Sequence, residues 1–297
     1  MKPPRFDYAA PDTLPEAIAL LSARNGNAKI ISGGQSLMPL LAFRLAAPEL
    51  LVDLRNIADL DRIRIGDDGV RLGARVRWCD IERDRRLATA HPLLAEAVSH
   101  VAHYQIRNRG TVGGSVCHAD PAAELPGVAL TCDAEMTIAG PAGVRIEPAA
   151  AFFRGALVTS LAPDEIVTEI RLPPWPCLRR WAFLEFARRR GDFAIAGVAL
   201  FYDLGADMTI AGAHVGAIGV GDGPLRLRAA EAALEGRHPV EDTILSAARA
   251  ARDEVDPPSD LHAPADYRRA LLGTLLERAL AQSLRRNPGA NAHARAV

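Results

Sequence analysis

Cysteine is scarce. The chain has four in 297 residues, Cys79, Cys117, Cys132 and Cys177, far apart and without a C-x-x-C. That spacing argues against a thiolate-held cluster or a zinc site within the chain. It reads most of the four as reduced core thiols, with Cys117 set apart by its place beside a glycine pair. No apolar run approaches the ~20 residues that span a bilayer, and the stretch Met1-Lys2-Pro3-Pro4-Arg5-Phe6-Asp7-Tyr8 lacks the apolar core of a secretion signal, so a cytoplasmic chain with no membrane span is expected. An excess of one charge is missing too. Lys and Arg number 35 against 36 Asp and Glu, which gives no electrostatic footprint for nucleic acid or an anionic membrane surface. Also absent are G-x-G-x-x-G opening a helix, a P-loop, G-x-S-x-G and H-E-x-x-H. The usual dinucleotide, nucleotide-triphosphate, hydrolase and zinc-peptidase signatures are thereby removed.

What is present is glycine in pairs. The run Lys29-Ile30-Ile31 breaks into Ser32-Gly33-Gly34-Gln35-Ser36-Leu37, and a distant echo reads Arg109-Gly110-Thr111-Val112-Gly113-Gly114-Ser115. Glycine has no Cβ to hold a ligand off and accepts positive φ, so successive N–H groups can turn toward one anion. Two such bends brought together could share a pyrophosphate; each alone is also an ordinary strand-to-helix connection.

Composition is that of a globular protein, 49% hydrophobic and 24% charged, and the length suits two domains. Thr13-Leu14-Pro15-Glu16 has the pattern of a capping box opening a helix that ends near Asn25-Gly26-Asn27. Short apolar strands follow over residues 28–31 and 50–54, with Ser36 as the cap of the helix between them. Hairpins are expected across 66–69 and 140–143, a helix over 78–87 and another over 91–98. Asp120-Pro121 reads as cap and first residue of a helical turn that carries Glu124, a first-turn acid. His100 and His103 have ligand-pair spacing without a third partner in view and read as surface or capping histidines. Arg107 and Arg109 would suit the rim of a phosphate site. A strand over 166–172 runs into the linker Leu172-Pro173-Pro174-Trp175-Pro176. Beyond it come three strands (181–187, 194–202, 208–220) and helices over 225–234, 243–255 and 266–284. The tail over 287–297 reads as frayed.

The two glycine phrases, with His118-Ala119-Asp120-Pro121-Ala122-Ala123-Glu124 after the second, resemble the flavin-binding medium subunit of the molybdenum hydroxylases, the family of carbon monoxide dehydrogenase and xanthine dehydrogenase flavoproteins. The resemblance runs from Phe6 to about Arg285. It implies an α+β architecture: a two-subdomain FAD-binding fold of the vanillyl-alcohol-oxidase (PCMH) type over 1–173, dividing near residue 56, then a smaller C-terminal domain over 177–286 with a three-stranded antiparallel sheet and helices. It implies FAD held by Ile31, Ser32, Gly33, Gly34, Gln35, Ser36 and Leu37 and by Thr111, Val112, Gly113, Gly114 and Ser115, with His118, Asp120, Glu124, Ile166 and Phe193 around the rest of the cofactor. No catalytic side chain and no metal ligand is implied here, because a bound flavin carries the electron chemistry itself. Molybdopterin and [2Fe–2S] clusters would sit on a large and a small partner subunit, in a heterotrimer or a dimer of heterotrimers. Many relatives have Tyr at the place of Phe193, and Lys followed by Phe or Leu where this chain has Glu185-Phe186. A self-contained flavoprotein oxidoreductase of the same fold, or an assembly subunit that has lost flavin, stays open at this point.

Overall fold

Thr13 behaves as the capping-box pattern predicts. Its hydroxyl accepts from the Glu16 amide at 3.4 Å, and the Glu16 carboxylate accepts from the Thr13 N–H at 3.3 Å, which satisfies two of the groups a helix start leaves bare. The helix so opened, α1 (Leu14–Ser22), follows β1 (Asp7–Ala9) and leads through Asn25 and Gly26, both at positive φ, into β2 (Ala28–Ile31). After α2 (Leu37–Ala42) comes β3 (Leu50–Asp53), the middle of a parallel three-stranded sheet in the order β1-β3-β2. All four residues of β3 are buried, as a central parallel strand covered on both faces requires. The computed structural model describes residues 2–286, so the expected tail over 287–297 lies outside the described residues.

A second, antiparallel sheet is built from β4 (Ile63–Gly66), β5 (Gly69–Gly73), β6 (Glu135–Gly140), β7 (Gly143–Pro148) and β10 (Ile166–Leu172), in the order β4-β5-β10-β6-β7. Between β5 and β6 the chain lays down α3 (Trp78–Arg83), α4 (Leu87–Ala90), α5 (Pro92–Val98), α6 (Tyr104–Arg107), α7 (Val112–His118) and α8 (Glu124–Thr131). Between β7 and β10 lie α9 (Ala149–Phe152) and the small ladder of β8 (Phe153–Gly155) with β9 (Val158–Thr159). The C-terminal sheet comprises β11 (Arg180–Phe186), β12 (Ala196–Leu204), β13 (Ile210–Ile218) and β14 (Leu225–Arg226), and α10 (Arg228–Leu234), α11 (Glu241–Glu254) and α12 (Ala265–Arg285) complete the chain.

Four details depart from the sequence-based expectations. The C-terminal sheet has a fourth strand, because Leu225 and Arg226, predicted to open a helix, pair instead with Ala217 and Gly216. The helix expected over 78–87 breaks at Asp84, whose carboxylate turns back to accept from the Arg86 backbone and guanidinium, a local competitor that ends helices. Ser36 makes no side-chain cap and is itself in the right-handed helical region. Asp120 caps no helix: its Oδ1 accepts from the Ala122 N–H at 2.9 Å in a tight turn, and the helix begins only at Glu124.

The core explains the last departure. Every residue of α8 is buried, because the helix lies between the five-stranded sheet and one face of the C-terminal sheet. Its Val128 and Ala129 share a single apolar cluster with Ile138 and Ile170 on one side and Phe183, Phe201 and Ile218 on the other. Close approach depends on missing side chains: a Cβ at Gly127 would lie 2.5 Å from the Ile218 side chain, and one at Gly216 would overlap the Thr131 hydroxyl. The opposite face of the C-terminal sheet packs α10, α11 and α12 through Leu200, Val215, Leu272 and Leu276. β12 therefore has apolar cover on both faces, which accounts for the unbroken run Ala-Gly-Val-Ala-Leu-Phe-Tyr. Arg268 of α12 ties the sheet's end down, donating to the Ile195 and Gly219 carbonyls at 2.6 and 2.8 Å and pairing with Asp260 at 2.8 Å.

Two outcomes follow. Arg268→Met strands two buried carbonyls and should cost ~2–5 kcal/mol in urea unfolding. His91, fully buried, caps α5 by accepting from the Leu94 N–H at 3.2 Å and packs on Trp175; burial lowers its pKa from 6.5 to about 3. A depressed pKa means that the stability contributed by the neutral ring is whole above the unfolded value of 6.5 and is lost as pH falls toward about 3. His91→Asn keeps a capping acceptor without a titrating group, so its urea midpoint should fall less than the wild-type midpoint over that window.

Candidate functional site

The first glycine loop leaves β2 with its backbone largely unspent. Among the described residues none of the Gly33, Gly34, Gln35 and Ser36 N–H groups donates a hydrogen bond, and only the Gln35 side chain turns inward, donating to the Gly33 carbonyl at 3.2 Å. Gly34 sits at φ +74°, the left-handed region that glycine enters at no cost. The flanking Ile31 and Leu37 are half-buried, and the hydroxyls of Ser32 and Ser36 have no partner among the described residues.

The second loop meets the first. A Cβ on Gly33 would overlap the Arg109 carbonyl and come within 2.9 Å of the Gly110 Cα, so two segments some eighty positions apart in sequence touch backbone to backbone. The second loop is in turn anchored to the chain after β5: Val112 N–H donates to the Val76 carbonyl at 2.9 Å, Gly113 N–H to Ala74 at 2.8 Å, and Trp78 N–H to the Gly110 carbonyl at 3.3 Å. Gly113 packs on Ala74, where a Cβ would lie 2.7 Å from the alanine methyl. Thr111 caps α7 by accepting from Gly114 N–H at 3.2 Å. The two loops are therefore unequal. The first offers bare amides, whereas those of Val112, Gly113, Gly114 and Ser115 are already bonded within the protein. What the second adds is an exposed Gly114 and the unpartnered Ser115 hydroxyl.

The expected neighbours separate into groups. His118 ends α7, half-buried, and Asp120 follows in its tight turn, held by Gly219 N–H donating to the Pro121 carbonyl at 2.9 Å. Glu124 is not a solvated first-turn acid: it is 7% exposed, and burial, reinforced by the nearby charge of Glu185, pushes its pKa up to about 8. Ile166 lies elsewhere, its side chain in the small core of the three-stranded sheet with Leu21 and Val52. Phe193 is 63% exposed, on the loop between β11 and β12. That loop approaches the stretch before α6, since a Cβ on Gly191 would meet the His103 ring at 2.5 Å.

Two arginines expected at a phosphate rim differ. Arg107 is spent inside, donating to the Val101 and Ala102 carbonyls at 2.9 and 3.0 Å and to Glu82 at 3.0 Å, while Arg109 is exposed. His100 is neither a surface nor a capping residue. It stands between Glu185, at 3.4 Å, and Glu96, at 3.9 Å, and these two carboxylates raise its pKa to about 9. Glu96 lies one turn upstream and its spacing could have flagged the pair, whereas Glu185 arrives only through the tertiary fold. Cys79 and Cys132 are buried and Cys117 and Cys177 exposed, so half rather than most of the thiols are in the core. Among the described residues no three His, Cys, Asp or Glu side chains gather as a metal site, and no helix is long and apolar enough to cross a membrane.

Comparison with known proteins identifies the family of the chain. Residues 4–175 match the family model described as the FAD binding domain in molybdopterin dehydrogenase, and residues 181–283 match that of the CO dehydrogenase flavoprotein C-terminal domain. The chain is 40% identical over 286 residues to the 6-hydroxypseudooxynicotine dehydrogenase complex subunit alpha of Paenarthrobacter nicotinovorans, covering 96% of this chain and 97% of that one. It is 35% identical over 280 residues to the carbon monoxide dehydrogenase medium chain of Hydrogenophaga pseudoflava, covering 94% and 97%. A solved structure of carbon monoxide dehydrogenase from Hydrogenophaga pseudoflava, lacking the Mo-pyranopterin moiety, superposes with a TM-score of 0.92 at 36% identity, covering 98% of this chain and 99% of that one. The chain therefore belongs to the molybdenum hydroxylase family as one of its FAD-binding oxidoreductase subunits, together with the carbon monoxide dehydrogenase medium chains.

Proposed function

We propose that this chain is the FAD-carrying electron-transfer subunit of a cytoplasmic molybdenum-containing hydroxylase or dehydrogenase. It would accept electrons from [2Fe–2S] clusters on a small partner and pass them to an external acceptor, while a large molybdopterin partner performs the hydroxylation. The three subunits would form a heterotrimer or a dimer of heterotrimers. In this chain residues 1–173, in two subdomains dividing near residue 56, would carry the cofactor, and residues 177–286 would close over it. The observation that carries the reading is the backbone contact between Gly33 and Arg109-Gly110, which sets four unspent amides and the Ser32, Ser36 and Ser115 hydroxyls beside one junction. Such a set of neutral donors suits a diphosphate, which needs several donors at once.

FAD, when bound, supplies the exchange between hydride or paired-electron chemistry and the one-electron steps of iron–sulfur clusters. The residues of this chain bind and orient it. The loop over 31–37 would donate to the diphosphate, and the loop over 111–115 would wall the junction and add the Ser115 hydroxyl. His118, Asp120 and Glu124 would border the nucleotide, with the backbone at Ile166 at its far end and the exposed ring of Phe193 approaching from the C-terminal sheet.

The test is flavin retention. The purified chain should show the visible bands of oxidised flavin. Gly33→Ala forces the two loops apart and should weaken FAD binding by at least about tenfold, ~1.4 kcal/mol, with the far-ultraviolet circular dichroism unchanged. Gly223→Ala, where a new Cβ meets nothing within 4 Å, should retain the flavin in full. Equal flavin content in both variants would tell against the junction as the binding site.

A further inference from the structure

Glu124 has no ion-pair partner among the described residues, although it is almost completely enclosed. The strongest charge acting on it is that of another acid. Glu185, on β11, has a side chain that is 6% exposed, and its Oε2 is buried with no hydrogen-bond partner. The packing that brings the two elements together is tight. Gly127 of α8 and Gly197 of β12, the register partner of Glu185, both abut the Ile218 side chain, and a Cβ on Gly197 would lie 3.2 Å from the Glu185 Cβ. Two carboxyl groups in one poorly hydrated space cannot both ionise without a large penalty.

The remaining charges decide which of them keeps the proton. His100, after α5, stands 3.4 Å from Glu185 Oε1 and so compensates Glu185 rather than Glu124. Behind it, Glu96 pairs with His100 and with Arg286, and the Arg286 guanidinium lies 3.8 Å over the Trp181 ring. Asp120, in the turn before α8, adds a further negative charge. His118 closes the neighbouring α7. α9 carries no charged residue, and β12 presents Ala196 and Gly197 at this end. The other charges packed on α8, His214, Asp133 and Arg226, gather at its far end, where His214 Nδ1 lies 2.8 Å from the Thr131 carbonyl.

We propose that Glu124 meets the flavin nucleotide as an uncharged carboxylic acid that donates its O–H, and that Glu185 is the positioning residue that keeps the proton there. The inference rests on the reading that FAD binds at this junction. It has a defined sign. Burial and the Glu185 charge hold the folded-state pKa of Glu124 at about 8, above its ordinary 4.5, so the neutral donor is fully present at low pH and is lost as pH rises through about 8. His100 keeps its proton to about 9, so the field it exerts is constant over most of that range. A nucleotide that already carries negative charge is repelled once Glu124 ionises.

The full chain, stripped of flavin and titrated with FAD across about pH 6 to 9, tests this by flavin fluorescence. Wild-type affinity should fall by about tenfold or more over the upper half of the range, as loss of one charge-sensitive hydrogen bond implies. Glu124→Gln, which keeps shape and a donor but cannot ionise, should bind FAD more tightly than Glu124→Ala and show no such fall with pH. Glu185→Gln removes the opposing charge, lets Glu124 ionise earlier, and should move the fall to lower pH. Independently of binding, the infrared spectrum of the flavin-free chain should show the carbonyl band of a protonated carboxylic acid near neutral pH that Glu124→Gln removes. A pH-independent affinity with no acid band, or a Glu124→Gln chain that binds FAD as poorly as Glu124→Ala, overturns the proposal while leaving the flavin assignment standing. A wild-type chain that takes up no FAD at any pH overturns both.

Discussion

The geometry of the site depends on one absent methyl group. At Gly33 the backbone of the first loop rests against the Arg109 carbonyl, and any side chain there would push the parallel β1–β3 unit away from the helices that follow β5. The contact is made by backbone, so it is insensitive to most changes around it. It also leaves the amides next to it without a hydrogen-bond partner among the described residues. Rigidity in the second loop, whose amides are bonded to Val76 and Ala74, and openness in the first are complementary. One fixes the position of the junction and the other leaves amides unbonded beside it.

Much of this was open to reading from residues alone. The capping box at Thr13, the hairpins across 66–69 and 140–143 and the break after β2 are local, and each is set by residues within a turn of one another. The glycine pairs marked both loops. What failed was partly local, as where Asp84 turns to Arg86 and ends a helix, and partly needed partners distant in sequence. Ser36 looks like a cap, yet its hydroxyl is left unpaired. Asp120-Pro121 looks like a helix start, yet the bond from Gly219 to the Pro121 carbonyl holds that stretch as a turn and delays the helix to Glu124. Glu124 itself has the sequence signature of a solvated acid. Only the sheet closing over α8 from the far end of the chain makes it a buried one.

Charge at the junction of the two halves is distributed unusually. On the C-terminal side β11 contributes Glu185, and its compensation comes from His100 on the N-terminal side of the interface. Of the two acids, Glu185 has His100 beside it, while Glu124 has no ion-pair partner among the described residues. Burial makes such an arrangement costly for two negative charges and tolerable for one, which ties the protonation of one half of the molecule to a residue contributed by the other.

The enclosure of α8 has a bearing on how the protein comes into being. A helix with no solvent face of its own, lodged between a sheet finished by residue 172 and a sheet begun only at residue 180, has no stable resting place while the later strands are still being synthesised. The N-terminal part, up to residue 179, must therefore wait, with an apolar groove uncovered, until β11 to β13 arrive. The two halves are thereby obliged to mature as one cooperative body.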